Sequence, residues 1–380
     1  MAFVPDVAHE LGRVPVLEDL PDPAGKTVLV RATFDRPLTS DPDQPLALHR
    51  AKHLAATLAW LVDAGARITV CGNSDAAEPL LEANRLDGIR QTIEGLLSRS
   101  LAPDVVAFRP SPEDPEAVGR LVQGHDLFVN DTLQDSFLPL PSVMLPAQGL
   151  PSSAGRTLQH DLEILGHLLI KQARPFVSLL GGELSVERLS GLKGLVLRAD
   201  SVLLGGALAL PMLKALGKQP VDGSTDAFSW ECRTVAGLSR RIHHEIILPV
   251  DLVWRRADGL TEITPADVRG SGEVVDIGPS TRVLFGDVVT GAKLTLWAGA
   301  LGRVEKAAFA QGTRSVASRL PKDTPVVLGG DALVTALARA DLVLATADML
   351  SATDAAIEIL KNGDLPALAA LRRNDSLPAS

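Results

Sequence analysis

Residues 175–210 read PFVSLLGGELSVERLSGLKGLVLRADSVLLGGALAL. Two short apolar runs, Phe176–Leu180 and Ser201–Leu204, each stop at a glycine pair, Gly181-Gly182 and Gly205-Gly206, and helix-compatible sequence follows both. A strand, a glycine turn and a helix, repeated one crossover apart, is how an open parallel sheet presents backbone N–H groups to a phosphate at its carboxyl edge. Glycine pairs also serve simply to allow tight strand-to-helix turns. No lysine or arginine directly follows the first pair; Glu183 stands there instead.

The chain has 380 residues, more than one domain usually holds, so two domains are expected. Apolar residues make up 46%, enough for sizeable cores, while aromatics are only 3% and tyrosine is absent, leaving few platforms for stacked bases. A net charge of -9 argues against a nucleic-acid groove, which needs a basic footprint, but allows a local basic cleft for a small anion. Cys71 and Cys232 are the only cysteines, and Cys71 ends an apolar run, as a buried thiol in a reducing compartment would. The start, MAFVPDVAHELGRVPV, has neither the basic flank nor the apolar core of a signal peptide. No run approaches the roughly 18 apolar residues of a membrane span. A cytoplasmic protein with no nucleic-acid or membrane partner is expected.

The first half alternates strand-like and helix-like segments. Strands are expected at Thr27–Phe34, Arg67–Cys71, Asp104–Phe108 and Leu127–Asn130, and helices at His49–Ala66, Ile89–Leu97 and Pro115–Gln123. Residues 138–156, rich in proline, serine and glycine, read as a loop and domain boundary. Thr157–Gln172 has helical spacing and suits a helix between two lobes. The second half repeats the alternation, with strands at Phe176–Leu180, Ser201–Leu204, Glu245–Trp254, Leu294–Trp297, Val326–Leu328 and Leu342–Ala345. Helices are expected at Ala207–Leu216, Ser280–Thr290, Val304–Arg319, Asp331–Ala340 and Thr353–Lys361. The expected class is α/β: two doubly wound parallel-sheet lobes joined by a helix. The divisions fall at 1–156, 157–173 and 174–362, with a tail over 363–380 that returns to the first lobe. Ligands of such sheets bind outside the carboxyl ends of the strands.

A series of motifs then appears in order. LVRATFDRPL (29–38) resembles LVRVDFNVPL, LFVNDTLQDSF (127–137) resembles YVNDAFGTAHR, and RPFVSLLGGELSVERL (174–189) resembles RPFVAILGGAKVSDKI. SVLLGGALALPMLKALGK, IILPVDLVW, VVDIGPSTRVLF, LTLWAGALGRVEKAAFAQGT and VVLGGDALV have similar counterparts. Over nearly its whole length the chain resembles phosphoglycerate kinase. The resemblance implies 3-phosphoglycerate or its acyl phosphate on the N-terminal lobe, magnesium-bound ATP or ADP on the C-terminal lobe, and hinge closure between them. It also implies a monomer.

By that resemblance, Arg50 (in ALHRA) and Arg109 (in VAFRP) hold a carboxylate or phosphate, with Asp35 and Arg36 in the neighbouring loop. Gly181, Gly182, Gly205, Gly206, Gly299 and Glu305 border the nucleotide, and Asp331 is linked to its metal. Arg50 and Arg188 are the surviving candidates for catalytic cations. Apart from a nucleotide, Glu305 and Asp331 read as a helix-start carboxylate and a cap. The departures concern charge. The family's SHLGRP is SDAAEP here, placing Asp75 and Glu78 where it has histidine and arginine. The arginine of GTAHR is Leu138, and the aspartate and asparagine of VDFN are Thr33 and Asp35. Of the two lysines in GGAKVSDK, one is Leu184 and the other Arg188. The asparagine and proline of WNGP are Ala298 and Ala300, and the TGGGAS loop is TADMLS, with Ala347 and Asp348.

Each lost partner of a transition-state charge typically costs about 10²–10³ in rate. The expected activity is phosphate transfer between ATP and 3-phosphoglycerate, very weak or absent. Two other readings stand beside it: a non-catalytic protein that binds a partner or nucleotide, and an enzyme for a less anionic substrate. His243-His244-Glu245 lacks metal-protease spacing, and His160 and His167, on one helix face without a third ligand, are expected to face solvent.

Overall fold

The computed structural model describes the chain apart from residues 1–6, 35–37, 73–78, 135, 171–172, 185, 217–228, 243, 267–271, 343–346 and 374–380. The side chains of residues 7–8, 79–82, 170, 186–187, 190, 229–231 and 242 also lie outside the description. By contact the chain divides into two compact units, Met1–Ile170 with Gly363–Ser380, and Lys171–Asn362.

The first unit begins with α1 (Val7–Leu11), β1 (Thr27–Ala32), α2 (Pro45–Asp63), β2 (Arg67–Gly72) and α3 (Pro79–Leu97). It continues through β3 (Val106–Pro110), α4 (Pro115–Gln123), β4 (Leu127–Asn130), α5 (Pro141–Gly149), β5 (Ser152–Ala154) and α6 (Arg156–Ile170). The sheet order is β3-β2-β1-β4-β5, with every pair parallel. All of β4 and all but the first residue of β1 are buried. Helices on both faces of a parallel sheet explain such unbroken apolar strands. Local signals set the helix ends. In α4 the Asp114 carboxylate accepts from Ala117 N at 2.8 Å, Pro115 takes the first helical position, and Gly124 closes the last turn.

Residues 138–156 are not the loop their composition suggests; they hold α5 and β5. Pro141 stands at the first helical turn, where no N–H is needed. Pro146 lies inside the helix but is buried with Val143 and Ala147, so packing outweighs composition. The helix expected over Thr157–Gln172 is α6, grouped by contact with the first unit.

The second unit opens with β6 (Phe176–Leu180), α7 (Val186–Arg198), β7 (Ser201–Leu204), α8 (Ala209–Ala215), α9 (Ser229–Ile242) and β8 (Glu245–Ile247). Then come β9 (Asp251–Arg256), β10 (Thr261–Pro265), β11 (Gly272–Ile277), α10 (Pro279–Thr290) and β12 (Leu294–Ala298). It ends with α11 (Gln311–Ala317), β13 (Val326–Gly329), α12 (Asp331–Arg339), β14 (Ala347–Leu350) and α13 (Thr353–Asn362). The final helix, α14 (Pro366–Arg373), belongs to the first unit. There Ala367 N donates to Ser136 O at 3.3 Å. The parallel sheet has the order β14-β13-β12-β6-β7-β8. No helix among the described residues is long and apolar enough to cross a membrane.

Two expectations change here. Glu245–Trp254 is two strands in two sheets: β8 pairs parallel with β7, while β9 joins the antiparallel sheet β10-β9-β11. Pro249, which has no N–H for a ladder, lies between them. The helix expected over Val304–Arg319 is confined to α11, because the preceding segment bonds elsewhere, with Arg303 N donating to Val275 O at 2.9 Å. The strand expected at Leu342–Ala345 falls mostly outside the described residues, and β14 follows it. At the start of α10, Asp251 accepts from Ser280 N at 2.9 Å and Thr281 N at 2.7 Å, satisfying orphan N–H groups from another element.

Helices α7 and α13 meet at two glycines. A Cβ on Gly191 would lie 2.0 Å from Ile357 Cγ2, and one on Gly194 2.5 Å from Lys361 Cα. The second obstacle is backbone and cannot rotate aside. Gly194→Ala should destabilise the protein by roughly 1–3 kcal/mol. Gly88→Ala on α3, where nothing lies within 4 Å of the new carbon, should stabilise it by roughly 0.5–1 kcal/mol. Urea denaturation of both variants checks the opposite signs.

Candidate functional site

Because β6, β7, β12 and β13 run parallel, their carboxyl ends line one edge of the six-stranded sheet. Glycine ends or follows each: Gly181-Gly182, Gly205-Gly206, Gly299 and Gly329-Gly330. The backbones approach closely there. A Cβ on Gly181 would stand 2.1 Å from the Ala300 carbonyl oxygen, and one on Gly299 would stand 2.6 Å from that of Gly181. Gly182 and Gly299 also have φ near +80° (+81° and +82°), where a side chain is strained. The buried Trp297 indole donates to Gly299 O at 2.9 Å and holds that turn.

The turn amides already have acceptors. Gly181 N donates to Ala298 O (2.9 Å), Gly182 N to Ala300 O (2.6 Å) and Gly205 N to Leu180 O (2.8 Å). Gly206 N donates to Leu301 O (3.2 Å) and Gly299 N to Gly329 O (2.9 Å). This differs from the expectation that both glycine pairs offer N–H groups to a phosphate: neighbouring strand ends accept them first. The glycines supply instead a surface bare of side chains.

Arg188, on α7, reaches over this surface. A Cβ on Gly182 would lie 2.6 Å from its Nη1, and one on Gly299 3.0 Å away. Its Nη1 donates to Gly181 O at 2.8 Å and its Nε to Asp354 Oδ1 at 2.9 Å. Both partners of the ion pair are largely buried, so solvent screens it less than a surface pair. Glu183 is exposed on the same turn, and Glu305 is exposed beyond β12. Asp331 opens α12 directly after Gly330, where a carboxylate complements the helix N-terminus.

In the first unit, Arg109 leaves the end of β3, exposed, and lines an open groove of about 550 Å³ with Cys71, Ser111, Arg120 and Leu121. Burial pushes the Cys71 thiol up to about 11, which keeps it unreactive. Arg50 does not line this groove; it is buried within α2. At the end of β4 the Asn130 carboxamide is fully buried and meets no hydrogen-bond partner among the described residues. Next to it, buried Asp131 accepts from Thr57 Oγ1 (2.7 Å), Thr157 N (3.0 Å) and Thr157 Oγ1 (2.8 Å). It thereby joins β4 to α2 and α6. Thr33, at the place of a family carboxylate, meets the hydroxyl of Thr132. Asp35, Arg36, Asp75 and Glu78 lie outside the described residues.

Residues 106–362, more than half the chain, match the family model for phosphoglycerate kinase. The chain belongs to the phosphoglycerate kinase family. It is 30% identical to the phosphoglycerate kinase of Desulfosudis oleivorans, over 93% of this chain and 98% of that protein. It is 31% identical to that of Salinispora arenicola, over 91% and 96%. The fold is that of the phosphoglycerate kinase from Pyrococcus horikoshii OT3, with TM-score 0.75, 19% identity and coverage of 95% and 99%. That of Coxiella burnetii gives a TM-score of 0.72 with 20% identity.

The structure thus gathers Gly181, Gly182, Gly206, Gly299 and Arg188 at one edge, with Gly205 beside them and Asp331 one residue past Gly330. Asp354, Asn130 and Asp131 were missed by sequence reasoning. Asp354 is distant in sequence from Arg188, and nothing local marks the pair. His244, half-buried, has its Nδ1 2.8 Å from Val196 O, and His243 lies outside the described residues. His167 is exposed, but His160 is not the solvent-facing residue expected. It is half-buried, its ring 4.7 Å from that of His53 and 4.8 Å from that of His49. The spacing of His49 and His53, one helical turn apart, was the available signal.

Burial raises the Asp131 carboxyl from 3.8 to about 6 despite its donors. The folded state then binds a proton that the unfolded state releases between about pH 4 and 6. This contribution to stability is complete below about pH 4 and lost as pH rises through about 6. Asp131→Asn should flatten the stability profile across that window, read as denaturation midpoint against pH beside the parent.

Proposed function

We propose that this protein keeps the nucleotide-side frame of a phosphoglycerate kinase but transfers phosphate between ATP and 3-phosphoglycerate very weakly or not at all. One observation carries this reading. Arg188, the cation left at the family's two lysine positions, is held by Asp354 and the Gly181 carbonyl, and Leu184 occupies the other position. A guanidinium already paired with a carboxylate offers less positive field to a phosphoryl group in transit. Exposed Glu183 on the same turn opposes a triphosphate further.

Magnesium-bound ATP or ADP fits this edge in part. The close packing at Gly181, Gly182, Gly205, Gly206 and Gly299 brings backbone, with no side chains of their own, to this edge. Glu305 would meet the sugar and Asp331 the metal, since Mg²⁺ needs only one or two protein carboxylates beside phosphate oxygens. Bound there, the ion would neutralise phosphate charge. The remaining charges do not fit transfer. On the other unit, Arg109 in its groove supports an anionic ligand. Asp35, Arg36 and Arg50 join that reading by motif alone. The same reading expects a cytoplasmic monomer, and the two buried cysteines agree with a reducing compartment.

Two measurements test this. A coupled assay with ATP and 3-phosphoglycerate should give turnover at least about 10³-fold below the roughly 1–100 s⁻¹ of ordinary kinases; turnover within that range overturns the proposal. Mg-ADP should raise the thermal midpoint of the parent and not of Asp331→Ala. No shift in the parent, even at millimolar nucleotide, would discard the retained nucleotide site and leave a protein that binds a partner or a less anionic ligand.

A further inference from the structure

His49 and His53 stand four residues apart on α2, hence on one face. Helix α6 packs across that face and brings His160 to them. The His49 and His53 ring centroids are 4.2 Å apart, and the nearest ligand nitrogens of all three rings lie within 4.8 Å of one another. Among the described residues this is the one group of three or more potential metal ligands. All three rings are half-buried, so the cluster is neither sealed in the core nor loose in solvent.

The hydrogen bonds define the ligand atoms. His53 Nδ1 is 2.9 Å from the His49 carbonyl oxygen. A carbonyl can only accept, so Nδ1 carries the proton and Nε2 carries the lone pair. A ring nitrogen donating to a backbone carbonyl, with the other free to bind, is the usual support of a metal-ligating histidine. His49 Nε2 is buried and has no hydrogen-bond partner among the described residues. Such an atom is uncommon in a native interior and calls for a partner.

We propose that His49, His53 and His160 form a binding site for a divalent transition-metal ion of the zinc type, the fourth position being left to water or an exchangeable ligand. A tetrahedral site with metal–nitrogen bonds of about 2.0–2.1 Å needs nitrogens about 3.3 Å apart. From separations of up to 4.8 Å, metal binding requires the half-buried rings to turn about their side-chain bonds. Three imidazoles suit Zn²⁺, Co²⁺, Ni²⁺ or Cu²⁺ and not the oxygen-seeking Mg²⁺ or Ca²⁺. The support is rigid. Thr57, one turn beyond His53, and Thr157, three residues before His160, both bond to Asp131. The helices are therefore stitched together beside the histidines, whether or not a metal is present. The site lies wholly in the first unit and does not rest on the kinase reading.

The test uses the full chain, free of any histidine tag, dialysed against chelator. Titration with Zn²⁺ and Co²⁺ should show one saturable site per chain, and Co²⁺ should give the visible spectrum of a four-coordinate ion. His53→Gln and His160→Gln should each weaken binding at least tenfold, with unchanged circular dichroism. His167→Gln, exposed on the same helix as His160, should bind as the parent does. A parent with no saturable Zn²⁺ or Co²⁺ binding overturns the proposal. So does binding that survives both His53→Gln and His160→Gln, or that falls equally in His167→Gln.

Discussion

The carboxyl edge of the second sheet is set by a steric limit. The Gly181, Gly299 and Ala300 backbones come so close that a single added carbon at Gly181 would fall 2.1 Å from a carbonyl oxygen. The strand ends bond to one another there, so the turn amides are occupied while the surface stays bare. Everything at this edge follows from that packing. Arg188 can lie across Gly182 and Gly299 because they have no side chains, and Trp297 can reach Gly299 O because the turn bends back over β12. A nucleotide would meet backbone there, but few unclaimed donors.

Electrostatics then separates frame from chemistry. The family resemblance runs through strands, turns and glycines, which are governed by sterics and burial. The departures are concentrated in charged side chains, which contribute little to folding when exposed. Glu183, which is exposed, can therefore stand at this turn without disturbing the sheet beneath.

In the first unit the organising contact is the buried carboxylate of Asp131. It gathers donors from two helices at the end of a central strand, and burial holds its carboxyl above the usual range. Because Thr57 and Thr157 belong to the helices that carry His53 and His160, the same contact fixes where the imidazoles meet. Stability and a candidate ligand site share one scaffold.

Much of this was legible in the sequence. Apolar runs closed by glycine placed β6 and β7 to the residue, because buried parallel strands must be apolar throughout and must turn sharply at their ends. The order of motifs identified the family, and Arg109, Arg188, Asp331 and the glycines could be named as candidates. Composition misled at 138–156, where burial of Val143, Pro146 and Ala147 made a helix from a proline-rich segment. The β9–β10 hairpin was missed although Asp258-Gly259 marks its turn. Beyond that, local pattern has no bearing on partners far away in the chain. Asp354 is 166 residues from Arg188. Asp131 is 74 residues from Thr57. His160 joins His49 and His53 only where α6 crosses α2. The sequence by itself determined the strands, the turns and the family, because those depend on neighbours a few residues apart. Which charges cancel, which amides are taken and which histidines converge was decided only by the tertiary structure, because Coulomb and hydrogen-bond energies depend on distances in space that chain order does not contain.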